Sequence, residues 1–124
     1  MKSCPARDFL DSCRVAVRDN LLATVLAVRD YPPPSFPASG PRWRVMTGPM
    51  GGIYEARDKH GGTLYRLFCL LDRKAGDRGA SGPLVVLLCG GQKAVRTVMP
   101  TDTYDDARVF RQHYLSAGSC PIER

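Results

Sequence analysis

The sequence predicts an α+β domain in which an amino-terminal helix packs on a four-stranded, mostly antiparallel sheet and a carboxy-terminal helix follows the last strand. Three features carry that expectation. An apolar stripe of helical period lies near the amino terminus, four short β-branched and aromatic segments are separated by glycine pairs, and a second amphipathic stretch closes the chain. With 124 residues there is material for one core, so residues 1–124 are expected to form a single domain.

Over residues 8–31 the apolar positions Leu10, Cys13, Val17, Leu21, Val25 and Val28 recur at threes and fours, with Asp11, Arg14, Arg18 and Arg29 between them. Such spacing puts one apolar face on a helix that needs a surface to lie on. Pro32, Pro33, Pro34 and Pro37 end it, because proline donates no amide hydrogen and bars helical geometry from the residue before it. The texture then changes to segments expected as strands at residues 42–47, 53–59, 63–71 and 84–89. Residues 72–83 are polar and glycine-rich, too long for a tight hairpin, and are expected to form a loop. A last helix is expected from residue 102 or 103 to 117. Tyr104, Ala107, Phe110 or Arg111, and Tyr114 share one of its sides, Asp105 and Asp106 lie in its first turn, and Gly118 acts as a stop.

Eighteen Lys and Arg against twelve Asp and Glu give a net charge of +6, which favours an acidic partner; a basic, solvated surface is the plain alternative. The excess is mostly arginine, whose planar fork matches phosphate. The five cysteines, Cys4, Cys13, Cys69, Cys89 and Cys120, are scattered without C-x-x-C spacing, so neither a disulfide framework nor a zinc site is expected. No metal and no cofactor are expected. The first residues lack the apolar stretch of a signal peptide, and no run approaches the roughly 18 apolar residues of a membrane span, which makes the expected location cytoplasmic.

The pair Gly61-Gly62 suits a two-residue hairpin loop. His60 then pairs with Thr63, Arg57 stands opposite Arg66, and Glu55 stands opposite Phe68. Faces alternate along a strand, so Tyr54, Ala56, Tyr65, Leu67, Cys69 and Leu71 form a floor for the helices and the arginine face is expected to be open. Like charges directly opposed on a sheet repel, and an anion such as phosphate over the pair would relieve them; Glu55, placed diagonally near Arg66, would do the same as part of an ordinary surface network. After the last strand, Gly90-Gly91 permits close approach of a backbone, and Lys93 and Arg96 follow three residues apart. The spacing is not that of a nucleotide-binding phosphate loop. With Arg108, Arg111 and His113 from the last helix, these cations are expected to converge on one basic concavity.

Taken together, Tyr54-Glu55-Ala56-Arg57, Gly61-Gly62-Thr63-Leu64-Tyr65-Arg66-Leu67-Phe68, a Val/Leu strand and Gln92-Lys93-Ala94-Val95-Arg96-Thr97 before a last helix resemble the RelE/ParE/HigB toxin superfamily, most of all its phage-derived, HigB-like branch. The likeness spans residues 8–117; Arg96 stands where lysine is common, and Val98 where proline is. The resemblance implies a RelE-like fold and the toxin of a type II toxin-antitoxin system, a metal-independent endoribonuclease that cuts messenger RNA, in the ribosomal A site, and so stops translation. It implies catalytic roles for Arg66 as phosphate clamp, Lys93 as base, and Arg96 in stabilising the transition state, with His113 as a conventional acid or base. Arg57, Glu55, Arg108, Arg111 and Tyr114 would line the RNA-binding surface. The implied partners are a cognate helix-turn-helix antitoxin, mRNA and the ribosome, with no membrane. The alternatives are a ParE-like, non-catalytic inhibitor of DNA gyrase and a degenerate prophage protein that binds RNA through charge alone.

Overall fold

A computed structural model describes residues 4–30, 42–46, 51–78, 84–94, 97, 99 and 101–117. Its centre is the hairpin of β2 (Ile53–His60) and β3 (Thr63–Asp72). Gly61 and Gly62 both have positive φ, +57° and +80°, the conformation that a tight two-residue hairpin turn demands and that side chains resist. His60 pairs with Thr63, Arg57 with Arg66 and Glu55 with Phe68, the register expected from the sequence. The short strand β1 (Trp43–Val45) adds outside β2, and β4 (Leu84–Ala94) adds outside β3, giving an antiparallel sheet in the order β1-β2-β3-β4.

One face of the sheet is the expected floor. Trp43, Ala56, Tyr65, Leu67, Cys69 and Leu87 are buried there against Leu10, Val17, Leu21, Val25 and Val28, with Tyr54 and Leu71 at its margin. The covering segment, however, is two helices rather than one, α1 (Pro5–Ser12) and α2 (Val15–Asp30). The chain turns extended at Cys13 (φ −79°, ψ 156°), where Ser12 Oγ and Cys13 Sγ both donate to the Phe9 carbonyl at 2.6 and 3.3 Å. Side chains that bond back to the preceding turn compete with helix continuation. The break lets α2 lie along β2, tied by Asn20 Nδ2 donating to Asp58 Oδ2 at 3.2 Å, while α1 crosses to β4.

The other face is not open along its whole length. Ile53, Phe68, Leu70, Val86, Leu88 and Cys89 form a second core beneath α3 (Thr101–Ala117), which contributes Ala107 and Tyr114, with Tyr104 and Phe110 at the edge. The apolar run Leu67-Phe68-Cys69-Leu70-Leu71 supplies both faces of β3, as a strand covered on both sides must. Between Phe68 and Cys69 the pairing to β4 shifts by one residue, a bulge that lets Leu88 and Cys89 both serve the second core.

The last strand also runs five residues past its expected end at residue 89, through Gly90 and Gly91 to Ala94. The glycines are there because helices close on both sides of them. A Cβ at Gly90 would stand 2.2 Å from Phe9 Cδ2, and one at Gly91 would stand 2.9 Å from Thr103 Cγ2. In the expected loop, β3 reaches Asp72 and a 3-10 turn occupies Ala75–Arg78; Asp72 accepts from the Lys74 amide at 3.1 Å and from Tyr114 Oη at 2.7 Å. The proline segment at 32–37 lies outside the described residues. The reading of the cysteines as free of cross-links is corrected at one position, since Cys4 is disulfide-bonded; Cys13, Cys69 and Cys89 are free thiols.

Two predictions follow from this packing. Gly90→Ala is expected to lower stability by about 1–3 kcal/mol through overpacking against Phe9, with part of the loss recovered in Gly90→Ala/Phe9→Leu. Urea midpoints check it, and an unchanged midpoint for Gly90→Ala would mean that Phe9 does not press on the strand. The second concerns the buried thiols. Burial pushes Cys89 up to about 12, helped by Asp106, and pushes Cys69 up as well. Both stay protonated in the folded chain, whereas the unfolded chain ionises them near 9, so their stabilisation is whole below pH 9 and is lost as pH rises toward 12. The expected loss is about 1 kcal/mol per pH unit for each thiol, measured as a fall in urea midpoint that shrinks in Cys69→Ala/Cys89→Ala.

Candidate functional site

The side chains of Glu55, Arg57, Arg66 and Lys93 leave the sheet on the face that α3 covers, but at the end of that face where α3 only begins. Arg57 and Arg66 are direct cross-strand neighbours, and Gly91 stands beyond Arg66 on β4. Two residues further toward the hairpin turn, Lys59 pairs with Leu64 and Leu64 with Lys93. One face thus holds a row with two guanidiniums and, next to it, a row with two ammonium groups.

Glu55 sits behind the guanidiniums, with only 1% of its surface exposed. Its Oε1 lies 3.3 Å from Arg57 Nε and its Oε2 lies 3.6 Å from Arg66 Nη1. A carboxylate so deeply removed from water is tolerated because two cations face it. The arginines remain partly accessible, with 20% of the Arg57 side chain and 14% of the Arg66 side chain exposed. Burial pulls the Arg57 guanidinium below its ordinary value; Glu55 pulls it back up, and the neighbouring charges of Arg66 and Arg44 push it down.

Arg66 Nη1 donates to Tyr104 Oη at 3.1 Å, which ties the first turn of α3 to the cluster, and the Tyr104 ring packs edge-on to Phe68. The hydrogen bonding is nonetheless incomplete. Arg66 Nε and Glu55 Oε2 are both buried without a hydrogen-bond partner. A buried donor left unmade costs about 1–3 kcal/mol. The two adjacent, partly exposed guanidiniums can supply counter-charge to an oxyanion through their accessible donors.

The remaining expected site residues do not all join this cluster. Lys93 shares its face, half-buried, with Nζ donating to the Thr97 carbonyl at 2.6 Å. Arg96 lies outside the described residues. Arg108 is paired within α3 to Asp105, and Arg111 donates to the Gly51 carbonyl at 2.6 Å, where it braces the turn before β2. Tyr114 is buried on Asp72, six residues along β3 from Arg66 or about 20 Å at strand rise. His113 is exposed beside it. The expected convergence of Arg111 and His113 with the strand cations is therefore corrected, because α3 starts at the arginine cluster and runs away from it; Arg108 lies one helical turn beyond Tyr104. The expected open RNA-binding role of Glu55 is corrected to a buried one, since its carboxylate faces Arg57 and Arg66 rather than solvent.

Sequence reasoning missed Tyr104, which it assigned to packing alone, and also missed the row of Lys59 and Leu64. The register already contained the second, because the hairpin pairing that sets Arg57 opposite Arg66 sets Lys59 opposite Leu64. Among the described residues no group of three or more His, Cys, Asp or Glu side chains is arranged to hold a metal ion. No protein-family profile matches the chain, and neither does any curated protein or solved structure.

The burial of Glu55 yields a prediction about stability. Arg66→Ala is expected to destabilise the fold by about 3–5 kcal/mol, because it leaves a buried carboxylate short of one counter-ion. Glu55→Leu/Arg66→Met, which removes the charges together, is expected to recover most of that loss. Denaturant unfolding decides it, and an Arg66→Ala variant as stable as the parent would show that Glu55 is not held by this pair.

Proposed function

We propose that this chain is the RelE/HigB-like toxin of a toxin-antitoxin pair and cleaves messenger RNA without a metal, the RNA being engaged on the ribosome. The observation that carries the reading is the guanidinium pair of Arg57 and Arg66, paired across the hairpin and partly exposed. The order of elements also agrees with what the resemblance implies, namely helices on one face of a small antiparallel sheet and a carboxy-terminal helix beside it.

In the reaction so proposed, the 2′-hydroxyl oxygen of one nucleotide attacks its own 3′-phosphate. A cyclic phosphodiester forms, the bond to the 5′-oxygen of the next nucleotide breaks, the 2′-hydroxyl proton leaves to a base, and the departing 5′-oxygen takes up a proton. Negative charge grows on the non-bridging oxygens, and cations already in place stabilise it without reorganisation. Arg66 and Arg57 are assigned to those oxygens, and Lys93, the base that the resemblance implies, to the proton of the 2′-hydroxyl. Tyr104 and Glu55 fix how Arg66 presents its remaining donors.

Partners and location belong to the same proposal. An antitoxin, helix-turn-helix in kind, would cover the basic face, and the chain would act in the cytoplasm. Among the described residues no helix is long and apolar enough to cross a membrane. The Cys4 disulfide pulls the other way on location, because such bonds persist mainly in oxidising compartments.

Arg66→Ala conflates function with folding, so the test pairs Lys93→Ala with Arg66→Lys, which keeps the charge opposite Glu55 and loses the fork. Each is expected to cut cleavage of a defined message by about 10²–10³-fold and to relieve growth arrest, with melting close to the parent. Arg14→Ala, on an exposed residue between α1 and α2, is expected to change neither. Cleavage is measured with and without ribosomes. Variants that cut like the parent would remove the site from the reaction, and a parent that arrests growth without cutting RNA would turn the reading to gyrase inhibition.

A further inference from the structure

Helix α2 buries one stripe, Val17, Leu21, Val25 and Val28, against the sheet, and carries a second apolar row on a solvent-facing side. Val15 and Leu26 are 61% and 46% exposed, and Leu22 is half-buried between them. At 3.6 residues per turn the three fall within about 20° of one line along the helix, a line about 16 Å long. Between Asp19 and Arg29 the helix carries no charged residue. Single exposed apolar side chains are ordinary, but an aligned row of them is the pattern of a helix that meets another helix.

The charges beside this row are ordered. Arg18 and Arg29 stand about 40–60° to one side of the line, and Asp19 and Asp30 stand about 40–60° to the other. Each arginine lies against the aspartate that follows it, Arg18 Nε at 3.7 Å from Asp19 Oδ1 and Arg29 Nε at 3.1 Å from Asp30 Oδ1, and the four side chains remain between 38% and 63% exposed. They are therefore accessible to a second counter-ion. A partner of one charge would match one edge of this face and repel the other. A second copy of α2 matches both, provided that the two helices run parallel about a two-fold axis. Rotation by half a turn then sets the arginine edge of each helix against the aspartate edge of its mate, at nearly the same height. In an antiparallel pair like edges meet, arginine against arginine and aspartate against aspartate.

We propose that the chain forms a homodimer through α2, the helices parallel about a two-fold axis, with Val15, Leu22 and Leu26 meeting their own counterparts and each arginine edge paired to the aspartate edge of the second copy. Helix α2 covers the face of the sheet opposite Arg57 and Arg66, so the dimer leaves both arginine pairs uncovered, and the inference does not depend on what they bind. One helix face falls short of the roughly 800 Å² per partner that stable complexes bury. The dimer is accordingly reversible and forms as concentration rises.

Sedimentation equilibrium over a hundredfold range of concentration tests the proposal, with thermal melts to show that each variant is folded. The parent is expected to self-associate reversibly, and Leu26→Glu is expected to weaken that association by about 10²-fold or more. Asp19→Arg/Asp30→Arg, with arginine on both edges, is expected to weaken it about tenfold. Adding Arg18→Asp and Arg29→Asp to that variant exchanges the two edges and is expected to restore the parent value, because the exchanged helix is again complementary to itself in a parallel pair. Parent and exchanged chains mixed together, with a tag on one of them, are expected to show only the two homodimers by native mass spectrometry, since parallel pairing of the two would set like charges together. A preference for the mixed dimer would mean antiparallel helices and overturn the proposal. A parent that stays monomeric, or a Leu26→Glu variant that associates like the parent, overturns it as well. Should Leu26→Glu lower the melting temperature of a monomeric parent, the row is covered by another part of the same chain and the proposal fails.

Discussion

The parity of the β2–β3 hairpin is the constraint on which everything else depends. Its turn is two glycines with positive φ, so the strands meet with His60 against Thr63 and every later pair follows. Side chains alternate at each residue, and a slip of β2 by one against β3 would carry Glu55 and Arg57 to the face of Leu67 and Cys69 and put Ala56 beside Arg66. Neither core would then run unbroken across the hairpin. The same parity that secures the core places two arginines side by side, so the charge cluster is a consequence of folding correctly rather than an addition to it.

How far the sequence could be read depended on whether the information was local. The hairpin register, the floor of the first core and the apolar side of α3 are properties of adjacent residues, and each was legible. The break between α1 and α2 was not, because the stripe from Leu10 to Val28 keeps helical spacing across Cys13; only the side chains of Ser12 and Cys13, bonding back to Phe9, mark the turn. The second core was concealed by assigning the arginine face to solvent from its charged residues, although Ile53, Phe68, Leu70, Val86 and Leu88 share it.

The glycines of β4 show the same limit in sharper form. Glycine is depleted in strands, and Gly90-Gly91 therefore reads as the point where a strand gives way to a loop. The actual reason for the pair is tertiary, since Phe9 presses on one side and Thr103 and Met99 on the other. The expectation of close approach was sound, but what approaches is the protein's own side chains. Likewise, periodicity shows which side of α3 is apolar without showing which way the helix runs across the sheet. Tyr104 meets Arg66 at one end and Tyr114 meets Asp72 at the other, so only residues near the start of α3 belong with the strand cations.

The cluster itself is poorly explained as a stabilising device. Buried ion groups are often matched or bettered in stability by apolar side chains of similar volume, because desolvation consumes the Coulombic gain. This one stands directly beside such a core, with Phe68 and Ile53 flanking Glu55 across and along the strands, and it still leaves Arg66 Nε and Glu55 Oε2 without hydrogen bonds. Tyr104 satisfies one donor of Arg66 and fixes the guanidinium from the side of α3. Glu55 holds the charge of both arginines close together, against their mutual repulsion. The orientation and spacing of the two partly exposed guanidiniums are thus secured at a cost to the stability of the isolated protein.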